Sequence, residues 1–173
     1  AHNNSLDNPY AQWPSQHGFG KITVEDVYKS RLISWPYRTL ECAMTSEGAS
    51  AILLANEEMT KKLTDNPVWI SGVGFGSDTM RAGDRPDNPA WKGLYPEDEK
   101  IWPRNVPKPM SPYPDLLNFG ALRVSARMAY KDAGIKNPRK EISMVEIFDP
   151  YAGVVLAGLE DFDFCKRGEG RKM

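Results

Sequence analysis

Cysteine and histidine are scarce in this chain. Cys42 and Cys165 are the only cysteines; two thiols cannot build the disulfide framework of a small secreted domain, and their separation matches no metal or redox spacing. A reducing, cytoplasmic setting without a metal site is the expectation. The histidines, His2 and His17, fall in a polar, irregular stretch, so neither is set beside a nucleophile by regular structure, and solvated surface rings are the plainer reading. Neither charge is in excess: 22 Lys and Arg stand against 23 Asp and Glu, for a net charge of -1. That balance removes the long-range field that draws nucleic acid or anionic lipid. No apolar run approaches the ~20 residues that span a bilayer, and mean hydropathy is -0.53, so neither nucleic acid nor membrane is expected as a partner. Walker, Rossmann and His-Glu-x-x-His motifs are absent, as is any repeat of 20–50 residues. Gly72-Val73-Gly74-Phe75-Gly76 has neither the spacing nor the downstream acid of a dinucleotide turn. The chain opens without Met, basic region or apolar leader, which reads as a processed, truncated or incompletely determined start. Its charged, glycine-containing tail from Cys165 to Met173 reads as a hinge cut short.

What is present suits one domain with a real core, or a piece of one: 173 residues, 40% hydrophobic. Residues 1–20, broken by Pro9, Pro14, Gly18 and Gly20, predict an arm facing solvent or a partner. Thr23 is placed to cap a helix over 24–31, with Asp26 at capping-box distance. Pro36 disfavours helix before it and predicts extended chain over 33–40. Residues 49–55 are small and apolar without alternation, the pattern of a strand buried on both faces, and 57–63 reads as a helix. The strand pattern returns over 68–74, where glycines mark a close approach of backbone or ligand. Residues 84–114 hold eight of the fourteen prolines, interleaved with Trp91, Tyr95, Trp102 and Tyr113; this predicts an ordered surface loop packed on a neighbour. A helix follows over 116–133, with Leu117, Ala121, Val124 and Met128 on one face and Gly134 as its C-cap. Residues 142–148 read as a strand and 151–159 as a helix behind Pro150. Alternation of this kind predicts an α/β fold with a parallel or mixed sheet.

Few residues stand out for chemistry. Cys42 leads into the small-residue turn Ala43-Met44-Thr45-Ser46-Glu47-Gly48, which either offers its sulfur and the Thr45 and Ser46 hydroxyls to a ligand or buries the thiol as a small hydrophobe. Lys166 and Arg167 beside Cys165 would favour its thiolate. Phe148-Asp149-Pro150-Tyr151 lies at a strand end and opens a helix, where α/β proteins hold ligands, although Asp149 has the plainer role of helix cap. These residues by themselves name no reaction.

The colinear order of motifs adds a step. The segments His2 to Gln12, Ile22 to Val27, Cys42 to Ala51, Asn137 to Ile142, Val145 to Tyr151 and Phe164 to Gly170 together resemble the thiolase superfamily, in particular its sterol-carrier-protein-type and archaeal acetyl-CoA acetyltransferase branch. The resemblance covers nearly the whole chain apart from residues 80–114. It implies a layered α/β/α fold of two similar halves, of which this chain supplies the end of the first and the start of the second. Residues 1–48 would be an arm and loop-domain remnant. Residues 49–66 would be the last strand and helix of the N-terminal half, and 67–173 the first part of the C-terminal half with the Pro/aromatic loop 84–114 inserted.

The resemblance also implies a function: acyl transfer on acyl-CoA thioesters, with cleavage or formation of a C–C bond and no covalently bound cofactor. The family's acylated cysteine and its Gly-His-Pro histidine lie outside the matching segments, so the 173 residues alone are expected to be inactive, and Cys42 and Cys165 occupy neither catalytic position. Ala43, Met44, Thr45 and Ser46 match the segment lying along the pantetheine arm of CoA, with Ala43 where many members carry Ser. Phe148, flanked by Asp149 and Tyr151, stands where the family has an Asn or His that holds the thioester oxyanion. A phenyl ring has no donor for that task. A bulky or aromatic acyl group, an aldolase of the same fold, or a non-catalytic scaffold subunit is therefore an alternative. A homo-oligomer and a small OB-fold, zinc-ribbon partner are the implied associations, with loop 84–114 as contact or substrate cover.

Overall fold

The computed structural model describes residues 2–9, 20–45, 47–78, 80, 94 and 119–173. It divides into two compact units, one of Ala1–Ser46 with Asp149–Ala152 and one of Glu47–Phe148 with Gly153–Met173.

In the first unit, α1 (His2–Leu6) is followed by α2 (Val24–Lys29). Part of the expected irregular arm is thus helical. Asn3 ties it down: its amide donates to the Ile22 carbonyl at 2.9 Å and accepts from the Ile22 N–H at 3.0 Å, imitating a strand partner. The start of α2 is the predicted capping box. The Thr23 hydroxyl accepts from the Asp26 N–H at 3.2 Å, and the Asp26 carboxylate accepts from the Thr23 N–H at 2.7 Å. Residues 33–40 are not one extended stretch. They belong to an antiparallel hairpin of β1 (Leu32–Ser34) and β2 (Tyr37–Arg38), turned by Trp35-Pro36 with a cis peptide, and lead into a 3-10 turn over Thr39–Glu41.

The second unit contains α3 (Glu57–Leu63), α4 (Gly120–Ala133), α5 (Pro138–Glu141), all of α6 (Ala152–Asp161) but its first residue, and a 3-10 turn over Gly170–Lys172. Asn56 caps α3 by accepting from the Met59 N–H, and α4 ends at Gly134 in the left-handed conformation, φ 73°, as glycine at that position predicts. The glycines of 72–76 meet backbone. A Cβ on Gly72, Gly74 or Gly76 would collide with the carbonyl of Ala129, Ser125 or Ala121, respectively. Alternate residues of an extended segment therefore lie along every fourth residue of α4, since two residues of strand and four of helix both advance by roughly 6 Å.

Two expectations are corrected here. First, the apolar segments 49–55, 68–74 and 142–148 are in no hydrogen-bonded strand; the β1–β2 hairpin is the only sheet among the described residues. Ile52, Val68 and Phe148 are 85%, 96% and 80% exposed. A strand buried on both faces needs lateral neighbours and two covering layers; here α4 backs one side of 72–76, so the layered α/β/α arrangement is not assembled among the described residues. Second, α4 buries Gly120, Arg123 and Ala126 and not the stripe through Val124 and Met128, because Arg123 is drawn inward by Asp161 of α6 (Nε to Oδ1 3.1 Å, both buried). Loop 84–114 lies outside the described residues except for buried Leu94.

Candidate functional site

Residues more than a hundred positions apart meet in the first unit. Cys42 and Tyr151 form an antiparallel bridge, and the Ala43 N–H donates to the Pro150 carbonyl at 2.9 Å. The Tyr37 and Tyr151 rings lie 5.7 Å apart, tilted by 48°, a spacing at which aromatic pairs attract. The site predicted at Ala43–Thr45 and the one predicted around Tyr151 are therefore the two sides of one short backbone pairing. Ala43, Met44, Thr45, Asp149 and Tyr151 are all exposed and hence open to a ligand. Ser46 lies outside the described residues. Phe148 belongs to the second unit, and its ring is exposed. Asp149 is not the cap of α6: the helix begins at Ala152, so Tyr151 precedes its first residue.

The thiols and histidines read differently in place. The Cys42 Sγ–H donates to the Arg38 carbonyl at 3.3 Å and the residue is half-buried, so the thiol acts within the hairpin's local bonding. Cys165 is the reverse of the expected activated thiol: burial, followed by the charges of Glu160 and Glu169, pushes its pKa up, against a smaller lowering effect of Arg139. His2 is half-buried, and its Nε2 donates to the Gly20 carbonyl at 3.1 Å; His17 lies outside the described residues. No group of three or more His, Cys, Asp or Glu among the described residues is arranged to hold a metal ion, and no helix among them is long and apolar enough to cross a membrane.

In the second unit the polar interior escaped sequence reasoning. Glu160, 9% exposed, accepts from the Gly170 N–H at 2.9 Å and pairs with Arg167 at 3.4 Å, which fastens the tail to α6. Arg123 and Asp161 do the same for α4. The available signal was a charged residue three positions from Ala126 on the face turned inward. Two open clefts flank α4: one of about 450 Å³ lined by Tyr130, Lys131 and Lys136, and one of about 350 Å³ lined by Gly74, Ala129 and Phe164. None of Ala43, Met44, Thr45, Phe148, Asp149 and Tyr151 lines either cleft.

Residues 107–173 match the family described as Thiolase C-terminal domain-like. The acetyl-CoA acetyltransferase of Methanothermobacter thermautotrophicus is 29% identical over 98% of this chain and 35% of its own length. The benzoylsuccinyl-CoA thiolase subunit BbsB of Thauera aromatica is 25% identical over 97% of this chain and 34% of its length. Sterol carrier protein 2 of Gallus gallus is 36% identical over 97% of this chain and 25% of its length. The chain thus spans between a quarter and about a third of these relatives.

Proposed function

With the thiolase superfamily established by the match of residues 107–173 and by relatives aligned along nearly the whole chain, we propose that the protein carrying this chain is a thiolase-like acyltransferase, making or breaking a C–C bond beside an acyl-CoA thioester. The observation that carries the reading is the pairing of the exposed 43–45 turn with Pro150 and Tyr151 through the Ala43 N–H. The turn that resembles the family's CoA-side segment thus has Pro150 and Tyr151 as neighbours within the first unit. The turn contacts the pantetheine arm by backbone and shape, since Ala43 has no hydroxyl to offer.

In the chemistry proposed, a cysteine thiolate attacks the acyl carbonyl and forms a thioester, expelling an acyl-CoA enolate on cleavage or CoA thiolate on condensation; CoA thiol or an enolate, respectively, then takes the acyl group and frees the cysteine. Cys42, engaged with the Arg38 carbonyl, and Cys165, held as a thiol by burial, are assigned no part in that transfer. Position 148 supplies no hydrogen bond to the oxyanion, because a phenyl ring has no donor. Its exposed ring favours a bulky or aromatic acyl group. The same residue supports a second reading, a non-catalytic scaffold subunit of an acyl-CoA complex. A homo-oligomer in the cytoplasm with an OB-fold, zinc-ribbon partner completes the proposal.

The test is CoA-dependent cleavage of 3-oxoacyl-CoA thioesters by the purified protein. Free acyl-CoA product at a rate that rises with CoA supports the transferase. CoA binding without turnover favours the scaffold, and neither binding nor turnover contradicts both.

A further inference from the structure

The chain as a whole carries a net charge of -1, but its charges are not evenly spread. Arg127, Lys131, Lys136, Arg139 and Lys140 follow one another from α4 into α5, with only Asp132 between them and Glu141 after. Both carboxylates serve backbone. Asp132 Oδ2 accepts from the Val73 N–H at 3.2 Å, and Glu141 Oε1 accepts from the Lys136 N–H at 3.0 Å and from the Asn137 N–H. Three of the cations, Arg127, Lys131 and Lys136, line the cleft of about 450 Å³ together with one carboxylate, Asp163. The Arg127 Nε donates to Asp163 Oδ2 at 3.5 Å, while neither lysine has an ion-pair partner among the described residues. From this arrangement we propose that the cleft binds a dianionic phosphate group, carried by inorganic phosphate or by a small organic phosphomonoester. All of its residues belong to the second unit, and the proposal does not rest on the acyltransferase reading.

Charge decides the class of ligand. Three cations less one carboxylate leave two positive charges unbalanced in the cleft, which is the charge of a phosphomonoester above its second pKa of about 6; a carboxylate would leave one of them unmet. Placement agrees. Arg127 and Lys131 lie one turn apart on the same face of α4, and Lys136 follows Gly134 on the far side of the helix end, so donors come from two elements. Asp163 engages the Arg127 Nε, which leaves the terminal nitrogens of the guanidinium for a phosphate oxygen. Asp163 itself has φ 58°, the only positive φ of a non-glycine residue among the described residues. Glycine takes up that conformation without steric cost, so the side chain retained there is best explained by its hold on Arg127. Tyr130 and Ile135 also line the cleft, and the Tyr130 hydroxyl donates to the Phe162 carbonyl at 2.9 Å. Its ring remains as a wall for the organic part of an ester.

The test is trace acetylation of the lysines of the protein carrying this chain, mapped by mass spectrometry, with inorganic phosphate, phenyl phosphate or benzenesulfonate as probe at equal ionic strength. Both phosphates are expected to slow acetylation of Lys131 and Lys136 by about threefold or more, while Lys61 and Lys62, paired with Glu57 and Glu58 on α3, react as before. Benzenesulfonate, with one charge on the same ring, is expected to need a concentration roughly tenfold higher. Phenyl phosphate protecting at lower concentration than inorganic phosphate assigns the site to an organic phosphomonoester, and phenyl phosphate no better than inorganic phosphate assigns it to the free ion. No protection of Lys131 and Lys136, equal slowing at all four lysines, or benzenesulfonate as effective as phenyl phosphate would overturn the proposal. The double substitution Lys131→Gln with Lys136→Gln changes two exposed side chains. It is expected to leave thermal unfolding unchanged and to weaken phenyl phosphate binding, read by calorimetric titration, by about tenfold or more; parental affinity in that variant would also overturn the proposal.

Discussion

Asn3 carries the clearest single-residue consequence. Its amide makes two hydrogen bonds to the backbone of Ile22, each worth on the order of 1 kcal/mol net. Asn3→Ala should lower stability by about 1–2 kcal/mol, and Asn3→Asp, which keeps only the acceptor, by roughly half as much; urea unfolding of the two variants measures the difference. Asp26 gives the pH dependence. Hydrogen bonds from Thr23 hold its carboxyl below the ordinary value, with a smaller lowering effect from Lys29. A depressed folded pKa contributes stability that is present above the unfolded value near pH 4 and lost as pH falls through the folded one. Protection of the 23–29 amides should therefore fall on acidification below about pH 4, and Asp26→Asn should flatten that response. Cys165 has the opposite shift, so mass-mapped alkylation at pH 8 should be slower there than for a free thiol in solution, because only the thiolate reacts.

At the scale of elements, the glycines of 72–76 and α4 make a matched pair. A methyl group on Gly74 would collide with the Ser125 carbonyl, whereas one on Gly48 would meet open space. Gly74→Ala should cost about 3 kcal/mol, the upper end of overpacking, and Gly48→Ala close to nothing; thermal unfolding of the two variants separates them. The helices were legible in the sequence because their signals are local: Thr23 with Asp26 three residues on, Gly134 after Ala133. Turn, cap and pattern agree within one segment of chain. The strands were not legible in the same way, since an apolar run such as 49–55 states that it can be buried but not which neighbour will pair with it. The inward face of α4 was misread for a related reason. An arginine reads as solvent-facing until its partner is known, and Asp161 lies on another helix. Of the candidate site, the sequence singled out the 43–46 turn and the 148–151 segment as candidates, but not that the Ala43 N–H would reach the Pro150 carbonyl across more than a hundred residues.

For the whole molecule, the chain's span of a quarter to about a third of its relatives agrees with the apolar side chains it leaves uncovered, among them Ile52, Leu54, Val68 and Phe75. Contiguous exposed apolar surface binds hydrophobic probes and promotes association. The 173-residue polypeptide expressed alone should therefore brighten a hydrophobic dye in its folded state and elute above its 19.4 kDa mass in gel filtration. A dark, monomeric polypeptide would contradict that reading of its surface. The functional account rests on one place, the pairing of the 43–45 turn with Pro150 and Tyr151, and on one ligand, CoA. The measurement that tests it most directly is hydrogen exchange of the protein carrying this chain, with and without saturating CoA. Slower exchange at Met44, Thr45 and Tyr151 on adding CoA, with α3 unchanged, is the predicted result; no change at those amides, or protection confined to the clefts beside α4, would contradict it.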